Sequence, residues 1–502
     1  MRILSKFTTR LRNPAIVLLL VSCASQKPQT SKYVLNDIHS KLNPTAHRHI
    51  YYPATVEQVQ KIVRRAKRMR QAISISGGQH SMGGQQFGTN TLHLSTTHFN
   101  DVLQLNSDEG WVEVESGIQW PKLIDWLVQN QRGQAHTWGI RQKQTGADRL
   151  SIGGALSSNI HGRGLLMKPI VDDVESFTLV DAEGRILNCS RKENTELFRL
   201  AIGGYGLFGF IATVKLRLAP RQRLERRVEL VQLNDFYAKV NQALQDGSSF
   251  GDLQFSIDPE DPDFLQRGVF STYRPLLSDE KADDEHRELE AKHWRQLYYW
   301  AHTNKAKAYA YYTQFYLQST GQRYWSDRHQ LGIYLDDYHQ DLDRKLGSKV
   351  SGSEMISEVY VQREKLANFM KTLANDFRRM HTNVIYGTIR LIKADDESFL
   401  AWAKKDYACI VINLHVDHDA KGIEKAKKEF RTLIERALEG GGSFFLTYHR
   451  WASKSQILRA YPQFVEFLRL KQKYDPEERF QSDWYRHYKH MFLDELKEAA
   501  SL

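Results

Sequence analysis

Ile73-Ser-Ile-Ser-Gly77-Gly78-Gln79-His80-Ser81-Met82-Gly83-Gly84 decides how this chain is read. A short alternating β pattern runs straight into a glycine loop with one histidine at its crest. Paired glycines let backbone N–H groups approach a phosphate closely, and successive turned N–H groups form a nest for an anion. Upstream, Thr55 and Gln58 fit a capping box, and Val56, Val59, Ile62, Val63 and Ala66 form one apolar stripe at helical spacing. The order is helix, strand, glycine loop.

Two further glycine stretches lie downstream. Thr145-Gly146-Ala147-Asp-Arg-Leu-Ser151-Ile-Gly153-Gly154-Ala-Leu-Ser157-Ser158-Asn159-Ile160-His161-Gly162 sets short hydrogen-bonding groups among small residues, as a pyrophosphate or ring-edge site needs. Gly204-Tyr-Gly206-Leu-Phe-Gly209 has the spacing of a dinucleotide fingerprint. That fingerprint requires a strand before it and a helix after it. Here a helical stretch (195–201) precedes and a strand pattern (210–218) follows, so the Rossmann reading fails on context. Three glycine stretches at strand edges point to one large nucleotide-like ligand held by loops.

The bulk composition agrees with a large globular protein. At 502 residues, with 41% hydrophobic and 11% aromatic content, the chain can fill two or three domain cores. Its net charge of +11 is spread along the chain, and basic runs such as 61–70 fall on solvated helix faces. No zinc finger, RNA-binding signature or basic-aromatic stripe is present, so nucleic acid is not an expected partner.

At the amino terminus Arg2, Lys6, Arg10 and Arg12 precede the apolar run Ala15-Ile-Val-Leu-Leu-Leu-Val21. A basic segment before a short apolar core reads as an export signal, here residues 1–22. Leu20-Val-Ser-Cys23 resembles a bacterial lipobox, which makes Cys23 the lipid-bearing first residue of a cell-envelope protein facing the periplasm or exterior. Residues 24–44 then read as a tether. Only Cys189 and Cys409 remain beyond it, too few for a disulfide framework.

Period-two patterns predict strands at 72–76, 91–94, 111–115, 176–180, 185–187 and 210–218, with a helix at 121–129. Composition shifts after Pro220 towards Tyr, Trp, Arg and acidic residues, and the charged stretch 279–292 reads as solvated. Apolar strands return at 358–361, 384–392 and 408–416, with helices at 364–379, 422–438 and 462–474.

Taken together, the Pro53-Ala-Thr helix start, the Gly77–Ser81 loop, the 151–162 segment, the Val180-Asp-Ala-Glu-Gly-Arg-Ile186 hairpin and the 197–211 stretch resemble the FAD-binding domain of the vanillyl-alcohol oxidase / p-cresol methylhydroxylase superfamily. Lys473-Tyr-Asp475-Pro476…Arg479-Phe480…Ser482-Asp483 is similar to that family's carboxy-terminal signature. Asn159-Ile-His161-Gly162 and the terminal segment look most like the sugar and aldonolactone oxidase branch, which includes decaprenylphosphoryl-ribose oxidases. The resemblance implies an α+β protein: a two-subdomain PCMH-type FAD-binding domain over 45–220, then an antiparallel-sheet substrate (cap) domain with flanking helices over 221–442. A carboxy-terminal segment, 443–502, returns to the FAD domain.

It also implies the cofactor and its contacts. Gly77, Gly78, Gln79, His80, Ser81 and Met82 would meet the FAD pyrophosphate. Gly146, Ala147, Ser151, Gly153, Gly154, Ser158, Ile160 and Gly162 would line the cofactor, with Gly209 and Ile211 on the adenine side. His80 resembles the covalent flavin attachment point of cytokinin dehydrogenases, whereas the decaprenylphosphoryl-ribose oxidases lack a histidine there; covalent and non-covalent binding both stay open. His161 would sit near the reacting end of the flavin ring. Asn413 and His415, two residues apart on one strand face, would look onto the substrate. The same logic nominates Tyr360 and Arg390. Relatives carry a lysine after the Gly441-Gly442 loop, and here Tyr448 or His449 takes its place. His415 and His418 are three apart on a strand pattern and point to opposite faces, so no metal site is expected.

The implied activity is FAD-dependent transfer of hydride from a hydroxyl carbon of a sugar, polyol or aldonolactone to flavin N5, with electrons passed to oxygen or a membrane acceptor. The rival reading is a catalytically inert flavin- or sugar-binding envelope lipoprotein. A cytokinin-like amine oxidation rests on the His80 loop alone.

Overall fold

The helix that opens the chain's first βα unit spans Val56–Arg68, and Thr55 caps it by accepting a hydrogen bond from the Gln58 backbone N–H. The Gln58 side chain reaches back one residue further than a capping box requires, to the Ala54 N–H. In this computed structural model residues 33–276, 287–332 and 335–498 are described. The expected export signal, Cys23 and the first part of the tether lie outside them, as does most of the charged stretch 279–292.

Helix Val56–Arg68 buries Val59, Val63 and Ala66 against a three-stranded parallel sheet in the order His49–Tyr51, Leu92–Ser95, Ile73–Ser76. A second sheet of six strands carries Val102–Asn106, Trp111–Glu115, Phe210–Pro220, Val174–Val180 and Ile186–Ser190 in antiparallel array, with Trp138–Ile140 paired to the far end of Phe210–Pro220. These two sheets are the two lobes of the first half of the chain.

From Arg223 onward the strands join one antiparallel sheet of eight. Its order is Arg323–Trp325, Arg223–Gln232, Arg267–Pro275, Phe250–Phe255, Val384–Ile392, Tyr407–Asp417, Gly352–Gln362, Ser443–Phe444. Alternation along the strands separates its two faces. Ile410, Ile412 and Leu414 are fully buried and share a core with Leu373, Phe430 and Leu433 of helices Leu366–Met380 and Ala420–Glu439. On the other face Asp252, Gln254, Arg390, Val411, Asn413 and Ile356 floor a cavity. Helices Ala291–Thr303 and Lys305–Leu317 wall that cavity with Trp294, Tyr298, Tyr312 and Tyr316. Helix and sheet make up 35% and 26% of the described residues.

The carboxy-terminal segment crosses back. Phe480 pairs in parallel with Ile73, and the Ile73 carbonyl accepts a hydrogen bond from Gln481 N–H at 2.8 Å. The Arg479 guanidinium donates to the carbonyls of Ala66 and Gln71, so the end of the chain closes the edge of the parallel sheet.

One expectation needs correction over part of its length. Residues 33–44 are not a solvated tether. Tyr33–Leu35 pairs antiparallel with Thr45–His47, and Asp37 and Ser40 are fully buried. The Asp37 carboxylate accepts hydrogen bonds from Ser40 Oγ and Asn43 Nδ2, and Asn43 also donates to the Met82 carbonyl. These polar groups satisfy one another inside the fold, so ordered structure begins ahead of residue 45, where the FAD-binding domain was expected to start.

Candidate active site

Strand Ile73–Ser76 delivers the Gly77–Ser81 loop to the seam between the two lobes, where it meets segment 150–158. There is no room for side chains at this crossing. A Cβ on Gly77 would lie 1.9 Å from Ser151 Oγ, one on Gly78 2.1 Å from the Arg149 carbonyl oxygen, and one on Gly153 2.8 Å from Ser116 Cβ. Gln79 takes a left-handed φ of 60°, which turns the loop. The result is a groove floored by backbone.

Eleven of the sixteen expected cofactor residues line this groove: Gly77, Gly78, Gln79, His80, Ser81, Ser151, Gly153, Gly154, Ser158, Gly209 and Ile211. Tyr205 and Gly206 line it too, so the third glycine stretch serves the same groove rather than a second site. The remaining five sit elsewhere. Met82 and Ile160 are packed in the core, Gly146 opens onto the larger cavity, and Gly162 packs on Gln142 and Lys143. Ala147 is half-buried and packs against the core.

The groove has unmet polar demand. Thr96 Oγ1 and Ser116 Oγ line it, are buried, and find no hydrogen-bond partner among the described residues. An orphaned buried hydroxyl costs on the order of 1–3 kcal/mol. A glycine-floored groove with orphaned hydroxyls fits a long polar ligand such as a dinucleotide. Neither Thr96 nor Ser116 carries a local sequence signal. His80 closes one end, with Nδ1 2.8 Å from Nε2 of His39. Burial first, then the neighbouring His39, holds the His80 imidazole well below its usual range, so it is neutral.

Residues 48–190 match the family model described as "FAD binding domain". The chain carries an FAD-binding domain. Three relatives agree with it. The chain is 26% identical over 206 residues to "L-gulonolactone oxidase" of Bos taurus, covering 41% of this chain and 45% of the relative. It is 30% identical over 169 residues to "Putative D-arabinono-1,4-lactone oxidase" of Neurospora crassa, covering 34% and 29%. It is 27% identical over 190 residues to "Cytokinin dehydrogenase 5" of Arabidopsis thaliana, covering 36% and 34%. Each match spans less than half of the relative's length.

Beside the FAD-binding domain lies the cavity of about 340 Å3 over the eight-stranded sheet. Arg390 and Asn413 stand on neighbouring strands and line it, as does Tyr448. Arg390 is 5% exposed, and its Nε and Nη1 find no hydrogen-bond partner among the described residues; nor does Asn413 Oδ1. Arg163 and Arg226 add buried positive charge, converging on the Tyr273 hydroxyl.

A buried relay leads away from this cavity. Tyr448 Oη lies 3.3 Å from Glu358 Oε2, and the other carboxylate oxygen is 2.5 Å from His161 Nε2. Burial alone would raise the Glu358 carboxyl, but the His161 imidazole beside it holds it below its ordinary value. Burial, then Glu358, pushes the Tyr448 phenol well up, so it keeps its proton. His161 itself is fully enclosed, with Nδ1 on the Gly162 carbonyl. It lines neither the groove nor the cavity, which places it behind Glu358 and not at the open end of the site.

Tyr360 departs from expectation more clearly. It is fully buried and stacks on Trp402 with centroids 4.4 Å apart, away from both groove and cavity. Its strand neighbour Glu358 is the residue that matters to the relay, and the sequence reading missed it because an isolated glutamate in a β run carries no motif. His449 is likewise turned into the core, against Phe430 and Trp451, and hydrogen-bonds Ser357 Oγ. Burial lowers its imidazole to about 3. Of the two replacements for the lysine, Tyr448 faces the cavity.

His415 shares a strand face with Asn413 but turns to Glu354, with Nδ1 3.2 Å from Oε1. His418 goes to the other side and meets Ser353 Oγ. The strand ends at Asp417, so His418 lies in the bend that follows and strand alternation does not govern the pair. Nor could alternation reveal that His302 and His339, from two helices, meet the same glutamate.

Proposed function

We propose that this protein is an FAD-dependent oxidoreductase that oxidises a hydroxyl-bearing carbon of a sugar, polyol or aldonolactone. The observation that carries the reading is Arg390. A buried guanidinium with two undirected N–H groups beside an unmatched amide oxygen, in a cavity against the FAD-binding domain, demands a ligand rich in oxygen. The relatives' printed names, which include lactone oxidases, support the same class.

Bound FAD supplies the hydride acceptor, flavin N5. Residues of the groove hold the cofactor: Gly77, Gly78 and Gly153 by close backbone approach, Thr96 and Ser116 by hydroxyl hydrogen bonds. In the cavity Arg390 donates to substrate oxygens while Asn413 Oδ1 accepts from a hydroxyl, which orients the C–H to be broken. Tyr448 takes the substrate hydroxyl proton as it passes its own to Glu358, and His161 holds that carboxylate in place. Electrons leave to oxygen or to a membrane acceptor. A lipid on Cys23 holds the protein at the envelope, a reading that Cys23→Ser tests by release from the membrane fraction.

The deciding experiment is anaerobic mixing of the purified, exported protein with a panel of aldonolactones, sugars and polyols. Bleaching of the flavin absorbance by at least one of them is expected. A flavin reduced by dithionite but by none of the panel sinks the proposal. Acid precipitation adds the mode of attachment: fluorescence that stays with the pellet in wild type and is lost in His80→Ala means a covalent link through His80.

A further inference from the structure

At the edge of the large cavity four elements converge on one carboxylate. Glu354 of strand Gly352–Gln362 is 3% exposed and is approached by His302 of helix Ala291–Thr303, His339 of helix Tyr338–Leu346 and His415 of strand Tyr407–Asp417. We propose that His302, Glu354 and His415, with His339 as a further donor, bind one divalent transition-metal ion such as zinc.

The spacing fits. His302 Nε2 and His415 Nδ1 lie 3.0 and 3.2 Å from the same oxygen, Glu354 Oε1, and the three atoms are all within 4.8 Å of one another. Donors held tetrahedrally at about 2.0–2.1 Å from zinc are themselves roughly 3.3 Å apart, and two imidazoles with one carboxylate is an established zinc donor set. The two rings meet edge to face at 86°, converging on one point rather than stacking.

Two further observations point to a missing ligand. His339 is 9% exposed, and its Nδ1, 2.9 Å from Glu354 Oε2, is a third histidine nitrogen set against the same carboxylate. His415 presents its second nitrogen, Nε2, to Asp417 Oδ1 at 3.3 Å. A carboxylate behind a ligating imidazole is the usual outer partner that fixes its tautomer. Tyr338 donates to Glu354 Oε2 at 2.7 Å and orients the carboxylate. Glu354 and His339 line the cavity, which provides access for the ion.

The other cluster with suitable atoms among the described residues, His161, Glu358 and Cys409, lacks these features. It offers one imidazole, opens onto neither the groove nor the cavity, and burial keeps the Cys409 thiol protonated. An ion at Glu354 would tie the two helices to the sheet floor and set one wall of the substrate cavity, with no part in electron transfer.

The test uses untagged full-length protein with its flavin. Elemental analysis is expected to find close to one divalent transition metal per chain, and chelator-treated protein should take up one equivalent of zinc by calorimetry. The double variant His302→Ala/His415→Ala should lose at least about 100-fold in zinc affinity, with flavin content unchanged, while Cys409→Ser binds as wild type. Chelated wild type that keeps its flavin but takes up no stoichiometric zinc overturns the site. So does a double variant that binds as tightly as wild type. If that variant does not fold, His339→Gln and the wild-type titration decide. Zinc uptake is read without turnover, so its outcome stands apart from that of the substrate panel.

Discussion

The groove and the cavity are built in opposite ways. The groove is lined mainly by three short runs, around 77–81, 150–158 and 205–211, joined by Thr96 and Ser116, and it recognises by backbone and small hydroxyls. The cavity is lined by large side chains drawn one or two at a time from the sheet strands and the flanking helices. A ligand common to many proteins is held by a local chain conformation that needs adjacent glycines. A particular substrate is held by charges and rings that only folding brings together.

That contrast can be broken most sharply in the groove. Gly77→Val, whose Cβ would lie 1.9 Å from Ser151 Oγ, should abolish flavin binding, read as the flavin-to-protein absorbance ratio. Retained flavin would mean that the loop crossing does not shape the groove. A seam between the regions comes next in size. Lys143 is fully enclosed, pairs with Asp148 at 2.6 Å and donates to the Gln330 carbonyl. Burial, only partly offset by Asp148, lowers its ammonium to about 8 from 10.5. Between these values the unfolded chain binds the extra proton, so wild-type stability should rise with pH across that window by up to about 3 kcal/mol. Lys143→Met should flatten that rise in denaturant unfolding.

In the cavity the effects should appear in turnover and leave the flavin in place. Arg390→Met should lower kcat/KM about 100-fold, roughly 2.7 kcal/mol, through loss of charge-assisted hydrogen bonds to substrate. Glu358→Gln should lower kcat about tenfold with a smaller change in KM, since it acts on the proton path. Tyr360→Phe should change neither constant by as much as about twofold and should serve as the control. A large effect there would return the Trp402 stack to the active site.

Legibility in the sequence followed the same divide. The glycine runs and the strands at 111–115 and 384–392 could be read because each is a local pattern with a physical cause, whereas the return of 479–481 was legible only through the family resemblance. The helix pair Ala291–Thr303 and Lys305–Leu317 was missed, since its aromatic residues occur on several helix faces and leave no single stripe. Residues 36–43 were misread for the reverse reason: their polar groups bond to each other and to the Met82 carbonyl instead of to water.

By itself, then, the sequence determined that a nucleotide-like ligand lies on a glycine floor, because close backbone approach demands glycine at consecutive positions and consecutive positions can be read. That the ligand is FAD came from the family resemblance. It also placed Arg390, Asn413 and Tyr448 as candidates. Only the tertiary structure decided that Glu358, not Tyr360, backs Tyr448, that His161 stands behind that carboxylate, and that Glu354 gathers three histidines. Those partners are separated by tens to hundreds of residues, and a buried charge finds its counter-charge through packing, which no local spacing records.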